Sequence, residues 1–525
     1  MSKISRTATN PKQNQVLGQS LVFIIIWSVL FTLAYAQAPL YTSNQNQYFL
    51  HGLAKAGFGY LNEDWLATTL DPTPVFSALI AATYRILPWP PIFYLYYAVL
   101  AGVYFFSLVG IADELFGIGD ERIKRWVYMT AFVGLHAGAS RFLFVRGFDE
   151  NWAYLFDGGV AGQRLLGAVL QPSTFGVLLL VSIYLFLRGK VVWAIVPLVI
   201  APTVHPTYLL SAAVLTIGYM GMIFFDDKKV RRPLIIGGGA LVGVLPILLN
   251  TAMIFDPTGP YFISRARELL VDFRIPHHAD PALWLDATVA IKITFIIMAI
   301  FLIRRTRLFP ILMLLFGTAT ILTLAQILTK NNTLALLFPW RLSTILVPVS
   351  VSVILAKLVI WLSVRFDAIL SQRAKIIIGV CMVSVVLMAL AGAGISVING
   401  IQKAGSDDRE MMAYVAANQD SGQEFLIPLH MQDFRLMTGM PAYVEFKSIP
   451  YKDTDILEWY RRVSLAGKLY RAPYKRLGCA FIDDLYAEGV TRVVLPYDHV
   501  AKNCPILDRQ YVDLHYEVYA LSPLE

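Results

Sequence analysis

Charged residues are scarce in this chain of 525 residues: Asp, Glu, Lys and Arg make up 15% of it, whereas 57% is hydrophobic. A soluble domain of this size has too little interior to hide so much apolar surface. The scarcity of charge therefore excludes a soluble enzyme and predicts an integral membrane protein.

Cysteine is rarer still, with three residues, and their spacing excludes a cysteine metal site. Cys381 lies in an apolar segment, whereas Cys479 and Cys504 lie in the polar C-terminal part. If that part faces an oxidising compartment, Cys479 and Cys504 can form a disulfide. Two unpaired small side chains are the alternative.

Several catalytic and binding motifs are also missing. The sequence has no Gly-rich phosphate loop, no nucleophile elbow and no nucleic-acid-binding motif. The net charge of +8 does not imply a nucleic-acid partner, because residues 401–525 hold 14 basic and 18 acidic residues. The basic excess therefore belongs to the apolar part, where basic loops set the topology of a membrane protein.

About eleven apolar segments fill residues 17–398, and a helix needs about 20 such residues to cross a roughly 30 Å hydrocarbon core. The first segment has some features of a signal peptide, but the ten that follow favour an uncleaved helix. The predicted spans lie near 17–37, 91–116, 126–145, 170–188, 191–204, 206–225, 233–254, 282–303, 308–328, 340–363 and 375–398.

The fold class that follows is a polytopic α-helical membrane protein with a soluble C-terminal α/β domain. Residues 1–400 form the transmembrane domain, and residues 401–525 form the soluble domain, called the tail below. The tail alternates helical and strand patterns. Its predicted helices are 407–418, 456–466 and 479–488, and its predicted strands are 424–428, 442–446, 492–496 and 515–521.

Loop charge predicts the orientation. One set of alternate loops is short and holds 19 basic residues, whereas the longer loops of the other set hold 10. The positive-inside rule then puts the N-terminus in the cytoplasm and the tail outside. The expected location is the plasma membrane, the inner membrane of a bacterium, with the tail extracytoplasmic. Because the outer loops 38–90, 146–169 and 255–281 are the long ones, function is expected at the outer face.

A helix break near His205 predicts a cavity. Pro202 and the His205-Pro206 pair interrupt residues 191–225, which leaves a first piece shorter than the hydrocarbon core. A helix that ends at membrane depth exposes backbone groups, which must face protein or a water-filled cavity. We therefore expect a cavity that opens outward beside His205.

The strongest catalytic candidates are Glu63 and Asp64, in the motif Asn62-Glu63-Asp64-Trp65 of the first outer loop. Adjacent carboxylates beside a membrane can accept a proton from an attacking hydroxyl or bind a divalent cation. The alternative is a helix N-cap or a solvated acidic turn.

Basic residues near the predicted outer surface are candidates for binding a lipid phosphate. Arg341 follows Trp340 at the outer end of a span, where a planar guanidinium suits a phosphate group, with an interface anchor as the alternative. Lys292 lies within a span, where it either binds a ligand or snorkels or pairs with Asp286. Weaker candidates in the outer loops are Arg164, Gln171, Arg265, Arg267, His277 and His278.

The layout resembles the GT-C superfamily of membrane glycosyltransferases, which use polyprenyl-phosphate-linked sugars. The stretches Asn46-Gln47-Tyr48-Phe49-Leu50, Asp64-Trp65 and Asp71-Pro72-Thr73-Pro74 are similar to an uncharacterised bacterial family of GT-C-like proteins. Two tail stretches, residues 434–439 and 458–462, are similar to it as well.

The resemblance implies transfer of a sugar from a lipid-linked donor to a glycan, lipid or protein acceptor in the cell envelope. Asp64 would then deprotonate the acceptor while Glu63 positions it or a metal, and Arg341, Lys292 and His205 would hold the donor phosphate.

One departure matters for this expectation. Many GT-C enzymes carry an acidic pair just after the first span, where this chain has Asn44-Gln45-Asn46-Gln47-Tyr48. Since an amide cannot act as a general base, either Asp64 takes that role or the chain has the fold without the reaction. The alternative function is therefore a non-catalytic protein that binds polar lipids or glycans or assists their assembly. A transporter is a third reading, but the inverted repeats that would support it are not evident.

Overall fold

A computed structural model of the chain describes residues 13–471 and 478–522. Part of the loop-charge argument rests on Lys3, Arg6 and Lys12, which lie outside the described residues.

The described chain is mainly helical. Its α-helices, in chain order, are α1 (Gln13–Tyr35), α2 (Asn44–Ala56), α3 (Trp65–Thr68), α4 (Pro74–Ile86), α5 (Ile92–Phe116), α6 (Arg122–His136), α7 (Gly138–Gly147), α8 (Val177–Leu187), α9 (Val191–Val204), α10 (Leu209–Asp227), α11 (Arg231–Ile254), α12 (Pro260–Glu268), α13 (Pro276–Ala279), α14 (Pro281–Trp284), α15 (Ala287–Leu302), α16 (Phe309–Thr329), α17 (Asn332–Leu336), α18 (Ser343–Arg365), α19 (Asp367–Gln372), α20 (Ala374–Ala404), α21 (Arg409–Ala417), α22 (Phe434–Thr438), α23 (Asp453–Arg471) and α24 (Gly478–Ala487).

Each of the eleven predicted apolar segments is helical over most of its length, which confirms their positions as helices. Among the described residues, six helices are long and apolar enough to cross a membrane. The chain is thus a helical membrane protein, and eleven crossings stay a prediction. The six long helices are Ile92–Phe116, Pro206–Asp227, Arg231–Ile254, Phe309–Thr329, Asn332–Arg365 and Ala374–Ala404.

The predicted break at His205 is confirmed. Helix α9 ends at Val204, and His205 has extended backbone angles (φ −138°, ψ 102°). A residue before proline is driven out of the helical region by the proline ring, so Pro206 fixes the break and begins a short helical turn that leads into α10. The side chain of His205 is buried at this break, 4% exposed.

The tail contains a four-stranded sheet of β1 (Phe425–Leu426), β2 (Arg492–Pro496), β3 (Leu507–Val512) and β4 (Tyr516–Leu521), in the order β1-β2-β4-β3. Strand β1 is parallel to β2, and the other two pairings are antiparallel. Strands β1, β2 and β4 confirm the prediction, although β1 is shorter than expected. The sheet and its flanking helices form the expected mixed α/β tail.

Two details of the tail differ from the sequence-based expectation. The predicted strand 442–446 is reduced to one bridge between Phe425 and Ala442, because its next residues turn toward the first loop and α23. Strand β3 was not predicted, because its middle residues are exposed and charged or polar, as suits the edge of a sheet.

The predicted disulfide is confirmed. Cys479 and Cys504 are bonded, with their Cα atoms 5.2 Å apart. The bond ties the start of α24 to the segment between β2 and β3, and Cys381 is a buried free cysteine in α20.

Contacts between loops occur at both ends of the helical bundle. At one end, the tail contacts the predicted outer loops through Gln47 and Ile449 and through Thr258 and Asp453. At the other end, ion pairs such as Arg307–Asp226 join loops of the basic set. The grouping of the loops therefore follows the prediction, and the side of the membrane that each end faces stays a prediction.

Candidate functional site

Asp64 is fully buried and its carboxylate is saturated with hydrogen bonds. Oδ1 accepts from the backbone N–H groups of Leu66 and Ala67 and so caps α3. Oδ2 accepts from Arg435 Nε at 2.6 Å and from the N–H of Ala442 at 2.9 Å. The N-cap alternative is therefore the geometry observed, with a buried ion pair to the tail added to it.

The residues on either side of Asp64 also bind the tail. Glu63 is exposed and accepts hydrogen bonds from Ser421 Oγ (2.8 Å) and from the N–H of Gly422 (2.9 Å). The guanidinium of Arg462 stacks on the ring of Trp65 at 4.3 Å. Glu63, Asp64, Trp65 and their partners in the tail are called the junction below.

The junction leaves the two carboxylates little freedom for chemistry. Each oxygen of Asp64 already accepts two hydrogen bonds, so a substrate hydroxyl would have to displace one of them. Within the described residues, no three His, Cys, Asp or Glu side chains are grouped so that they could hold a metal ion. The catalytic roles of Asp64 and Glu63 stay predictions, and their surroundings favour a structural role.

A second buried carboxylate lies beyond Arg435. Glu445 is 1% exposed and its Oε1 lies 3.8 Å from Arg435 Nη1. It also accepts from the N–H groups of Lys447 and Ser448. Burial raises the pKa of Glu445, while the charge of Arg435 opposes that rise. The single guanidinium of Arg435 thus lies between two acids.

Two of the amides that stand in place of the acidic pair make structural hydrogen bonds. Gln47 is buried and pairs with the backbone of Ile449 in both directions: its Nε2 donates to the carbonyl at 2.8 Å, and its Oε1 accepts from the N–H at 2.6 Å. Gln45 accepts from the N–H of Tyr41. A carboxylate cannot donate, so a glutamate at position 47 could make only one of the two bonds to Ile449.

Arg341 is held by uncharged groups. Its Nη2 donates to Thr207 Oγ1 (2.8 Å) and to His205 Nε2 (2.8 Å), its Nη1 donates to Gln163 Oε1, and the guanidinium lies over the ring of Tyr208. No carboxylate of the described residues forms an ion pair with it. The guanidinium is thus a half-buried positive charge without a counter-ion in the part of the chain that the structure describes.

His205 is a neutral acceptor with an unused donor. A guanidinium can only donate, so the Nε2 of His205 must accept from Arg341 and the ring proton must be on Nδ1. Nδ1 is buried and has no hydrogen-bond partner among the described residues. Arg341 and His205 therefore offer positive charge and a free N–H side by side.

A loop of residues 158–164 gathers most of the predicted phosphate-binding residues. Lys292 Nζ donates to the carbonyl of Gly159 (3.1 Å), His278 Nδ1 donates to that of Ala161 (2.6 Å), and Gln163 accepts from Arg341. Arg164 belongs to the loop and stacks on Tyr154 at 3.7 Å. Lys292 is 5% exposed and donates inward, which is neither snorkelling nor an ion pair with Asp286.

The two histidines of α13 complete this group. Their ring centroids are 4.1 Å apart. Burial, followed by the charges of Arg274 and Lys447, lowers the pKa of His277. Burial, followed by His277, lowers the pKa of His278 to about 3, so this ring is neutral at pH 7. Three candidates lie outside this group. Gln171 lies at the N-cap of the turn Pro172–Gly176, with its Oε1 buried and unpartnered among the described residues. Arg265 forms an ion pair with Glu268, and Arg267 lies on the same helix, α12.

Some members of the site were not predicted. Thr207 and Gln163 hold the fork of Arg341, and Arg274 and Lys447 add two cations from the 255–281 loop and the tail. Thr207 follows the helix break by two residues, a signal that could have indicated it. Nothing in the local sequence distinguishes Lys447 from an exposed lysine of a soluble domain. The cluster of Gln163, Arg164, His205, Thr207, His277, His278, Lys292 and Arg341 is called the anion site below.

The fold and these contacts define a helical membrane protein whose polar, cationic site lies at the end of the bundle that carries the tail. A family model described as a domain of unknown function, DUF6798, matches residues 406–466 of the chain. A search of curated proteins finds no match. The matched segment contains the junction partners Ser421, Arg435 and Arg462, and both tail stretches on which the resemblance rests.

Proposed function

We propose that this protein binds the phosphate headgroup of a membrane lipid at the anion site. The observation that carries the proposal is the guanidinium of Arg341, held by Gln163, Thr207 and His205 without a carboxylate among the described residues. An unpaired charge away from water is costly, and a phosphate would neutralise it. Arginine is the side chain best suited to phosphate, because its planar fork can donate two parallel hydrogen bonds.

The position of the site supports a lipid rather than a soluble anion. His205 lies where two apolar helices meet end to end, between α9 and α10. Broken helices of this kind bind polar groups at membrane depth, where a lipid headgroup can arrive from the bilayer. A sugar carried on a polyprenyl phosphate belongs to this class of ligand, so a lipid-linked sugar is the donor that we propose.

Lipid retention by the full-length protein tests this proposal. The protein would be purified in detergent, loaded with a long-chain polyprenyl phosphate and weighed by native mass spectrometry. We expect Arg341→Gln to reduce retention at least about tenfold, roughly 1.4 kcal/mol, and Arg341→Lys to reduce it less. Arg265→Gln, which removes an exposed arginine at the same end, is the control. Equal retention by wild type and Arg341→Gln would make Arg341 an interface anchor only.

A second candidate function is sugar transfer from such a lipid to an acceptor at the same face. Asp157 favours it: this carboxylate is 3% exposed, directly precedes the 158–164 loop and accepts a hydrogen bond from Tyr35 at 2.7 Å. It forms no ion pair with any residue that the structure describes. A positioned carboxylate that takes the proton of an acceptor hydroxyl contributes about 10²–10⁴-fold to the rate.

The transferase candidate has its own test. Asp157→Asn should abolish sugar transfer in a cell-based assay of envelope glycans while lipid retention stays at the wild-type level. Full transfer activity in Asp157→Asn would exclude Asp157 as the base. Loss of transfer in Asp64→Asn without loss of stability would instead support Asp64 as the base that deprotonates the acceptor.

The orientation is part of the proposal, with the anion site and the tail on the extracytoplasmic side of the plasma membrane. It rests on the basic loops at the opposite end, which hold Lys228 and its neighbours. A membrane-impermeant thiol reagent should label Asp455→Cys but not Lys228→Cys in intact cells. The reverse labelling pattern would invert the topology.

A further inference from the structure

Arg274 is a buried arginine of the 255–281 loop with an unpartnered guanidinium nitrogen. It is 9% exposed, its Nη2 donates to the carbonyl of Lys447, and the guanidinium lies 5.3 Å from the ring centre of Phe446. Its Nε is buried and has no hydrogen-bond partner in the described part of the chain. Native proteins seldom leave a buried N–H of this kind without an acceptor, so the unpartnered Nε of Arg274 calls for an explanation.

Lys447 adds a second charge at the same place, and the nearest acid is already engaged. Glu445 accepts from the N–H groups of Lys447 and Ser448 and faces Arg435. Burial, followed by the charge of Arg274, lowers the pKa of Lys447. Burial also lowers the pKa of Arg274, against the attraction of Glu445. Arg274 and Lys447 thus share one nearby acid, Glu445, which already accepts hydrogen bonds from other groups.

Two connections place this pair beside the anion site. The first is the histidine pair, because His277 faces Arg274 and Lys447 while His278 donates to Ala161 in the 158–164 loop. The second is Tyr48, whose ring lies 5.7 Å from that of His205 and whose hydroxyl hydrogen-bonds Tyr451. Each connection thus passes through two side chains, His277 and His278 in the first and Tyr48 and Tyr451 in the second, and Tyr451 also acts on Arg274.

We propose that Arg274 and Lys447 form a second anion subsite, which takes a second negatively charged group of the ligand whose phosphate binds Arg341. The inference rests on the proposed function, because it assigns one ligand to both groups of cations. The membrane domain supplies Arg274 and the tail supplies Lys447, so the complete site exists only when the tail is docked. The second group is a further phosphate or the carboxylate of an acidic sugar, and both offer oxygen acceptors to the Nε of Arg274.

Three small probes distinguish these possibilities by isothermal titration calorimetry on the full-length protein in nanodiscs. Glucose 1-phosphate carries one anionic group, glucuronic acid 1-phosphate adds a carboxylate, and pyrophosphate adds a phosphate. We expect glucuronic acid 1-phosphate or pyrophosphate to bind at least about tenfold more tightly than glucose 1-phosphate, and the tighter of the two identifies the second group. Similar affinities for all three would overturn the second subsite.

Variants assign the excess affinity to the subsite. Lys447→Gln should remove the advantage of the tighter probe and leave glucose 1-phosphate within about twofold of wild type. Lys468→Gln, an exposed lysine of the same domain, is the control. An equal loss for all probes in Lys447→Gln would place Lys447 in a single undivided site and overturn the subsite. Arg341→Gln should weaken all three probes, and its failure to do so would count against the proposed function instead.

Discussion

The junction and the anion site lie at the same end of the molecule but differ in whether their basic side chains have acidic partners. In the junction, Arg435 lies 2.6 Å from Asp64 and 3.8 Å from Glu445, so two acids face this one base. In the anion site, Arg341, Lys292 and Arg164 have no acidic partner among the described residues, and their hydrogen-bond or stacking partners are carbonyls, an amide, a hydroxyl and aromatic rings.

The difference in pairing predicts different consequences when a charge is removed from the junction or from the anion site. Asp64 is saturated with hydrogen bonds inside a buried ion pair, so its loss should be felt as lost stability. Cations held by uncharged partners can still attract an anion. Removal of one of them should therefore lower the affinity for that anion. The sequence favours Glu63 and Asp64 as catalytic candidates because adjacent carboxylates can accept a proton or bind a cation, and it does not show that Arg435 pairs with Asp64.

The largest expected effect is on the junction. Asp64→Asn should lower the free energy of unfolding by about 3–5 kcal/mol, because it leaves Arg435, 3% exposed, without its closest counter-charge. Thermal unfolding and limited proteolysis of the purified protein would measure the loss, with the exposed Asp272→Asn as the control. Wild-type stability in Asp64→Asn would show that the ion pair does not hold the tail.

A smaller loss is expected where an amide replaces the expected acid. Gln47→Glu should cost about 1–3 kcal/mol, because the carbonyl of Ile449 loses its donor inside the protein. Asn62→Asp makes the same chemical change at an exposed position of the same loop and should be neutral. Equal unfolding temperatures for the two variants would contradict the pairing of Gln47 with Ile449.

A pH effect links the anion site to stability. The pKa of His278 in the folded protein is about 3, below the roughly 6.5 of an unfolded histidine. The unfolded chain therefore binds more protons between those values, so the contribution of the neutral ring is present above pH 6.5 and is lost as the pH falls toward 3. His278→Gln should flatten the decline of unfolding temperature between pH 7 and pH 5, whereas His430→Gln should not. Parallel declines in wild type and His278→Gln would rule out this linkage.

The smallest effect is expected for Glu63. Its carboxylate is exposed, and a glutamine there can accept from the N–H of Gly422 and donate to Ser421 Oγ, because a hydroxyl can also accept. Glu63→Gln should therefore change stability by no more than about 0.5 kcal/mol and leave lipid retention unchanged. A large loss of sugar transfer in this variant would show that Glu63 positions a substrate or a metal after all.

Local patterns accounted for much of the architecture and for part of the site. Apolar runs located the helices, the His205-Pro206 pair located the break, and the rarity of charge within spans pointed to Lys292 and Arg341. Residues such as Arg274 and Lys447 could not be found in this way, because basic residues are ordinary in polar loops and soluble domains. What makes them unusual is the burial of Arg274 next to half-buried Lys447.

The sequence by itself determined that this is a helical membrane protein with a mixed α/β tail, because hydrophobic length and periodicity are local properties that the bilayer requires. It also determined where the segment that forms α9 and α10 must break, because Pro206 excludes a helical His205. Only the tertiary structure decided which charges are satisfied. Asp64 and Arg435 are 371 positions apart, and their pairing depends on the docking of the tail on the first loop. Arg341, by contrast, is held by Gln163, Thr207 and His205, which come together from separate parts of the chain and carry no negative charge.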